Sequence, residues 1–427
     1  MMTTTSAHAP SYYAATANAA PPVERLADEE KADIAIVGGG FTGIATALSL
    51  AERGYQVAVV EANRVGWGAS GRNGGQFTDS IAGEGTIRRQ LGAEAEDFLW
   101  YLRWRGHGII EDRVERYGIE CDLRHGHIRT AKKRRQVADL RADYEAMARR
   151  NMRQHLQFVE GKELRRLLGT DAYHAGLVNR RNGHLHPLNL CLGEADAARG
   201  LGARIFEESP VTHIEHGDHP AVVTAEGRVR ADRVIVAGNA YHELEPKSLK
   251  GLIFPATSHI IVTEPLSDER IQEINPQRLA VYDTNHIIDY YRITADQRLL
   301  FGAGCNYSGR DPEDIDAVMR PCMERIFPQL ADTAIDYRWG GRIGIVLNRV
   351  PQLGRISPNV WYAQGYSGHG VCLTHVVGET LAAAISGRSE RFDQFARVRH
   401  TRLPVGDWLG SRMVALGMLY YRMLDRF

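Results

Sequence analysis

The sequence predicts an α/β chain, α+β overall, in which a Rossmann-like nucleotide-binding domain carries a substrate domain built on a largely antiparallel sheet plus helices. Three observations predict it: a strand, glycine turn, helix and second strand over residues 32–61, a glycine-dense segment directly after, and β-rich runs beyond residue 250. The first element is Ala32-Asp33-Ile34-Ala35-Ile36-Val37, which enters Gly38-Gly39-Gly40-Phe41-Thr42-Gly43 and then the helix-like Ile44 to Leu50. Gly38 permits a tight turn, Gly40 lets the backbone approach a pyrophosphate, and Gly43 lets the helix pack closely on the strand. The phosphates belong on the helix N-terminus, where unpaired N–H groups and the dipole favour an anion. Gly54 ends the helix, Gln56 to Val60 form the second strand, and Glu61-Ala62 closes it with an acid placed for a ribose. A GxGxxG alone is a weak signal, but the full order of elements is a strong one.

The second element is Arg64-Val65-Gly66-Trp67-Gly68-Ala69-Ser70-Gly71-Arg72-Asn73-Gly74-Gly75-Gln76. Glycine at this density costs conformational entropy, and is explained by backbone lying against something large and flat or adopting positive φ. Ser70, Arg72, Asn73 and Gln76 offer hydroxyl, guanidinium and amide groups to a ligand that extends beyond the pyrophosphate, the direction in which FAD continues.

Composition bounds the remaining classes. The chain has 427 residues, 44% hydrophobic and 24% charged, with 52 basic and 52 acidic residues. No net field favours nucleic acid or an anionic membrane. Cys121, Cys191, Cys305, Cys322 and Cys372 show no CxxC or Cys/His spacing, which argues for a reducing compartment and against zinc or a disulfide framework. The pairs His125/His127 and His184/His186 lack a third ligand and read as structural, so no metal is expected. Residues 1–30, rich in Ala, Thr, Ser and Pro, show no signal-peptide pattern and read as a disordered tail. With no apolar run of roughly 18 residues, the expectation is a soluble cytoplasmic protein.

Three further segments complete the pattern. They are Pro210-Val211-Thr212 with Ala231 to Tyr241, then Tyr337-Arg338-Trp339-Gly340-Gly341-Arg342, then Gly365-Tyr366-Ser367-Gly368-His369-Gly370 leading through Thr374 into Val376 to Ile385. With these the chain resembles the D-amino-acid-oxidase-type FAD-dependent oxidoreductases, and within them the gamma-glutamylputrescine oxidoreductase branch, over residues 30–427. The resemblance implies that Val211 meets adenine, that a strand closes over the cofactor near Gly238, and that Trp339 and Gly341 lie behind the flavin. It also implies that the Gly365–Gly370 turn meets the pyrimidine end of the ring, where the following helix stabilises negative charge. Some relatives attach flavin through a cysteine, but residues 342–349 contain none, so non-covalent FAD is expected. Arg342 stands one residue away from the arginine that grips an amino-acid carboxylate in some relatives, which argues against a plain amino-acid oxidase.

The domain division that follows assigns 31–85, 186–245 and 336–402 to the FAD domain, 86–185 and 246–335 to the substrate domain, and 403–427 to a C-terminal helix. That helix is expected to pack on the protein or a partner subunit in preference to a membrane. Strand-like runs around His259, Tyr290 and Arg292 bring those residues toward the pocket, and His369 is the expected polar group near the ring. The resemblance implies an FAD-dependent oxidase of a small amine, such as gamma-glutamylputrescine or another gamma-glutamylated polyamine. A hydride passes from the amine α-carbon to flavin N5, the imine hydrolyses to an aldehyde, and oxygen takes the electrons as hydrogen peroxide. Rival readings are a dehydrogenase that passes electrons to a quinone or carrier, and a non-amine FAD protein. No nucleic-acid partner is expected, and no residue pattern sets the oligomeric state.

Overall fold

The computed structural model describes residues 7–285, 287–306 and 312–402, without the side chains of 304–306. The expected C-terminal helix over 403–427 lies outside the described residues, as does the side chain of Cys305.

Among the described residues, the first sheet has eight strands. Its path runs Gln352–Ser357, Val360–Gln364, Arg228–Val236, Glu29–Val37, Val57–Val60 and Arg204–Phe206. Glu29–Val37 sits in the middle, parallel to both neighbours, with Ile34 paired to Val57 on one side and Arg233 on the other. Both faces of the sheet are buried, Ile34 and Ile36 in one apolar core and Ala35 and Val37 in another with Ile214 and Val222, which is why Ile34 to Val37 reads as an unbroken apolar run. Five helices recur below: α1 (Tyr12–Ala15), α2 (Phe41–Ala51), α3 (Ala95–Tyr117), α4 (Pro187–Gly200) and α5 (Gly370–Ile385). Every residue of α2 is buried. A Cβ at Gly378 of α5 would come within 2.8 Å of the Thr46 nitrogen, so this glycine lets the α5 and α2 backbones touch.

The second sheet has nine strands and is largely antiparallel, apart from the parallel pair Arg124–Ala131 and Ala280–Asp283. Its path is Ile335–Ile345, Phe254–Pro265, Arg298–Asn306, Tyr290–Ile293, Ala280–Asp283, Arg124–Ala131, Ala175–His184 and Gln76–Phe77. Two of these strands fall on the other side of the domain division made from sequence. Gln76 pairs with His184, and Ile335–Ile345 lies beside Phe254–Pro265 from Phe254↔Ile345 to Thr263↔Ile335. One face of this sheet packs toward the nucleotide domain through Ile260, Val262, Leu300 and Trp339. The opposite face carries Ile261, Tyr291, Phe301 and Phe327 in a separate core.

The N-terminal segment corrects the expectation of a disordered tail. Tyr12 and Tyr13 are buried, and Ser11 caps α1 by accepting from the Ala14 N–H. The Tyr13 ring packs edge-on against His186 at 4.8 Å and Trp339 at 5.4 Å. The Tyr12 hydroxyl donates to Asp296 at 2.7 Å. Two adjacent aromatic rings bury enough area, with their hydroxyls satisfied, to hold down an otherwise polar segment. Among the described residues no single helix is long and apolar enough to cross a membrane.

Candidate active site

A cleft of about 1240 Å³ opens where Val37, Val60 and Ala237 end three parallel strands. This is the position at which open α/β sheets bind ligands, and the volume exceeds the roughly 300–1,000 Å³ of ordinary small-molecule pockets. Gly38 has φ +110°, and a Cβ there would meet the Ala237 carbonyl at 3.0 Å. A Cβ on Gly43 would lie 1.9 Å from the Gly38 oxygen, so the turn folds onto its own helix only with glycine. The N-cap of α2 is Gly40, which offers no side-chain cap, and the Ser70 hydroxyl accepts from the Phe41 N–H at 2.8 Å. Open N–H groups at a buried helix start, with a hydroxyl beside them, suit a phosphate. Glu61 accepts from the N–H groups of Gly39 at 2.6 Å and Asn63 at 2.8 Å. Burial raises its pKa above the usual carboxylate value, while both backbone donors oppose that shift.

The far end of the cleft is built by the turn after Val360–Gln364. Gly365, Ser367 and Gly368 all have positive φ, at +83°, +53° and +90°. The turn is held because the Ser367 N–H donates to the Gly344 carbonyl at 3.0 Å and the Ser367 hydroxyl accepts from the Val346 N–H at 3.2 Å. α5 then starts at Gly370, again with no side-chain cap. Thr42 of α2 donates to the Tyr366 hydroxyl at 2.8 Å, which ties the two uncapped helix starts together along one cleft.

Of the cofactor residues expected from sequence, Gly38, Gly40, Phe41, Thr42, Glu61, Ala62, Gly68, Ala69, Ser70, Asn73, Val211, Gly238, Tyr366, Ser367, Gly368, Gly370 and Thr374 line the cleft. Gly43, Arg72, Gly74, Gly75, Gln76, Trp339, Gly341, Gly365 and His369 are not among its lining residues. Arg72 lies over the Trp67 ring at 4.3 Å, and Trp339 donates to the Arg72 carbonyl at 2.9 Å. A Cβ on Gly341 would meet Arg72 at 3.2 Å, and one on Gly365 would meet Val346 at 2.1 Å. The Cβ directions of Gly74 and Gly75 point at protein: a Cβ on Gly74 would lie 2.4 Å from the Tyr290 ring, and one on Gly75 would lie 2.2 Å from the Leu185 carbonyl. Gln76 reaches the Val281 carbonyl at 3.5 Å. The density of glycine in this loop thus records close packing of protein on protein as much as approach to a cofactor.

None of the four residues expected to act on substrate lines the cleft. Tyr290 and Arg292 do face the nucleotide domain, against Gly74 and Gly75. Arg292 is only 1% exposed, and donates to the Gly74 carbonyl at 3.1 Å and the Tyr13 hydroxyl at 3.2 Å. Among the described residues no carboxylate pairs with it. His259 is buried, but it alternates with Ile260 and pairs with Ala303 of the outer core, on the far side of a register shift at Ser258/His259. It therefore belongs to the opposite face of the sheet from Tyr290. His369 is half-buried with Nδ1 3.2 Å from the Ser367 carbonyl, and burial lowers its pKa. The cleft also recruits residues not expected from sequence to hold the cofactor, among them Arg25, Asn239, Tyr241 and Arg342. Asn239 adopts φ +50° and accepts from the Gly365 N–H at 3.0 Å. A Gly-Asn pair after a strand, where Asn tolerates the left-handed region, was the available signal.

A long cleft between two helix N-termini, with a buried acid near one end, fits an extended dinucleotide. The family model described as FAD dependent oxidoreductase matches residues 33–384. The chain belongs to this family. It is thus an FAD-dependent oxidoreductase, and the family's cofactor fits the donors that the cleft presents. The chain is 42% identical over 422 residues to gamma-glutamylputrescine oxidoreductase of Escherichia coli (strain K12), covering 98% of this chain and 99% of that one. Glycine oxidase from Geobacillus kaustophilus superposes with a TM-score of 0.72 at 21% identity, over 88% of this chain and 100% of that one. L-proline dehydrogenase from P. horikoshii superposes at 0.71, also at 21% identity, over 91% and 99%. These two structures share the family fold. Among the described residues, no group of three His, Cys, Asp or Glu side chains is placed to hold a metal.

Proposed function

We propose that this FAD enzyme oxidises a small amine at the carbon bearing nitrogen, and that the amine is a gamma-glutamylated polyamine such as gamma-glutamylputrescine. The observation that carries the reading is the 42% identity to gamma-glutamylputrescine oxidoreductase across 98% of the chain. Bound FAD supplies the two-electron acceptor, and the protein supplies position, exclusion of water and charge. Amine, water and oxygen become aldehyde, ammonia and hydrogen peroxide. In this reading FAD is held without a covalent bond, its ribose by Glu61, its pyrophosphate by the start of α2, and its flavin by the Gly365–Gly370 turn and the start of α5.

Tyr290 and Arg292 are the side chains assigned to the substrate side. Arg292 is a buried cation whose hydrogen-bond partners among the described residues, the Gly74 carbonyl and the Tyr13 hydroxyl, are neutral oxygens. A guanidinium in that state favours a carboxylate, which a gamma-glutamyl group carries and free putrescine lacks. The four free cysteines among the described residues suit the reducing cytoplasm in which this reading places the enzyme.

The test is anaerobic mixing of the holoenzyme with gamma-glutamylputrescine, putrescine and glycine while the visible flavin absorption is followed. Rapid bleaching by the first alone is expected, with one peroxide per aldehyde after oxygen is admitted. Failure of any amine to bleach the flavin would sink the reading. Bleaching without reoxidation by oxygen, reversed only by a quinone, would replace the oxidase with a dehydrogenase.

A further inference from the structure

Behind the cleft lies a charged network that plays no part in the reading above. His375 of α5 and Glu194 of α4 are both wholly buried, and Arg113 of α3 is nearly so. His375 Nε2 is 3.0 Å from Glu194 Oε2, and its Nδ1 is 2.6 Å from the Val371 carbonyl. Arg113 donates to Glu194 Oε1 at 2.8 Å, to the Ser49 hydroxyl at 2.7 Å and to the Ala45 carbonyl of α2 at 3.3 Å. Glu52 at the rim stands 3.8 Å from the same guanidinium. Glu52 therefore stands between Arg113 and, at 3.6 Å, Arg116, while Glu194 is shared between Arg113 and His375.

The geometry at His375 dictates its protonation. A neutral imidazole has one N–H and one acceptor nitrogen, yet a backbone carbonyl and a carboxylate oxygen face the two nitrogens here, and the Thr374 hydroxyl, 3.4 Å from Nδ1, already donates to the Gly370 carbonyl at 2.7 Å. Neither the carbonyl nor the carboxylate can donate, so the ring satisfies both only by carrying two protons. Glu194 takes the Arg113 guanidinium on its other oxygen at 2.8 Å, and that buried pairing keeps the carboxylate ionised without any contribution from His375. The position of the resulting charge is also defined. His375 follows Thr374, which lines the cleft, and its ring centroid is 5.3 Å from that of Phe41, which lines it too. The charge thus sits about one helical turn inside the uncapped start of α5.

We propose that His375 is held as an imidazolium by Glu194 and the Val371 carbonyl, and that this charge adds to the α5 N-terminus in stabilising the electron-rich reduced flavin. Glu194 is the positioning residue, fixing the charge of His375 while Arg113 anchors it to α2. The inference rests on the FAD cofactor and not on the identity of the amine, so it survives if the substrate assignment fails.

The test uses the holoenzyme and a redox dye, with no amine present. His375→Gln retains FAD but shifts the ratio of reduced to oxidised flavin at a fixed potential about tenfold toward the oxidised form, the order of magnitude for a unit charge near the site. Glu194→Gln shifts it the same way by less, because a negative charge is lost together with the proton. Ser49→Ala removes an Arg113 contact without changing any charge, and leaves the ratio unchanged. An unaltered ratio in FAD-loaded His375→Gln, or an equal shift in Ser49→Ala, overturns the proposal. Should His375→Gln not fold, neutron diffraction on the unmodified holoenzyme decides: deuterons on both His375 nitrogens support it, and one deuteron overturns it.

Discussion

The Tyr13 hydroxyl lies 3.2 Å from the Arg292 guanidinium and accepts its hydrogen bond, although 279 positions separate the two residues in sequence. The N-terminal segment is thereby part of the interface between nucleotide and substrate domains. Tyr13→Phe removes the acceptor and leaves a buried donor short of a partner, a loss of about 1–3 kcal/mol. Tyr13→Ala also leaves a cavity against His186 and Trp339, for about 3–5 kcal/mol. Denaturant unfolding of both variants measures the difference. Equal stability of Tyr13→Ala and the parent would show that the segment does not dock.

Gly43 has no room to change. The nearest atom to an added Cβ is the Gly38 carbonyl oxygen at 1.9 Å, which is backbone of the turn proposed to receive phosphate. Gly43→Ala is expected to purify without bound FAD, seen as loss of the yellow absorption. Gly54→Ala is the comparison: φ is +83° there but no atom lies within 4 Å, so it costs about 1 kcal/mol of strain and keeps its FAD. A fully yellow Gly43→Ala protein would contradict the close helix–turn contact.

The legibility of these features differed for physical reasons. The run from Ile34 to Glu61 was readable because each glycine and the terminal acid serve one backbone geometry with few alternatives. In the loop at 66–75 glycine signalled close approach, but a missing Cβ does not tell whether flavin, Tyr290 or Leu185 fills its place. The two tyrosines at 12 and 13 were hidden in a segment rich in Ala, Thr, Ser and Pro, since composition averages over the residues that anchor a segment. Alternation put Tyr290 and Arg292 on one face, and with Ile260 inward it puts His259 on the other, but the run 258–263 is apolar at both phases and does not say which face is inward. The His375, Glu194 and Arg113 contacts join three helices far apart in the chain, which a single sequence cannot bring together.

Asp283 gives a pH signature. It is fully buried beside Asp289, with Lys132 Nζ 3.4 Å from its carboxylate. Burial, then the Asp289 charge, raise its pKa to about 7, against the pull of Lys132. The unfolded group titrates near 3.8, so between about pH 4 and 7 the folded state holds the extra proton. Stability from this group is present at the acid end and is lost as pH rises through that window, at up to about 1.4 kcal/mol per pH unit. Asp283→Asn removes this loss, so its stability relative to the parent grows from pH 5 to pH 8. Thermal melts with parallel pH slopes for the two proteins would exclude the effect.

Arg292 allows binding of the proposed substrate to be separated from support of the fold. If its guanidinium takes the glutamyl carboxylate, Arg292→Gln loses a charge-assisted bond of about 1.5–3 kcal/mol, or roughly 10- to 150-fold in kcat/KM for gamma-glutamylputrescine. An N-acylated putrescine with no carboxylate gains nothing from that cation, so its turnover, however slow, is unchanged by the substitution. A purely structural Arg292 behaves otherwise, because loosening Gly74 and Tyr13 displaces the site for every amine alike. Steady-state kinetics with the two substrates on parent and Arg292→Gln enzymes, at matched FAD content, tell these apart. A selective fall for the carboxylated amine supports the assignment, and an equal fall for both returns Arg292 to the role of a domain-interface clamp.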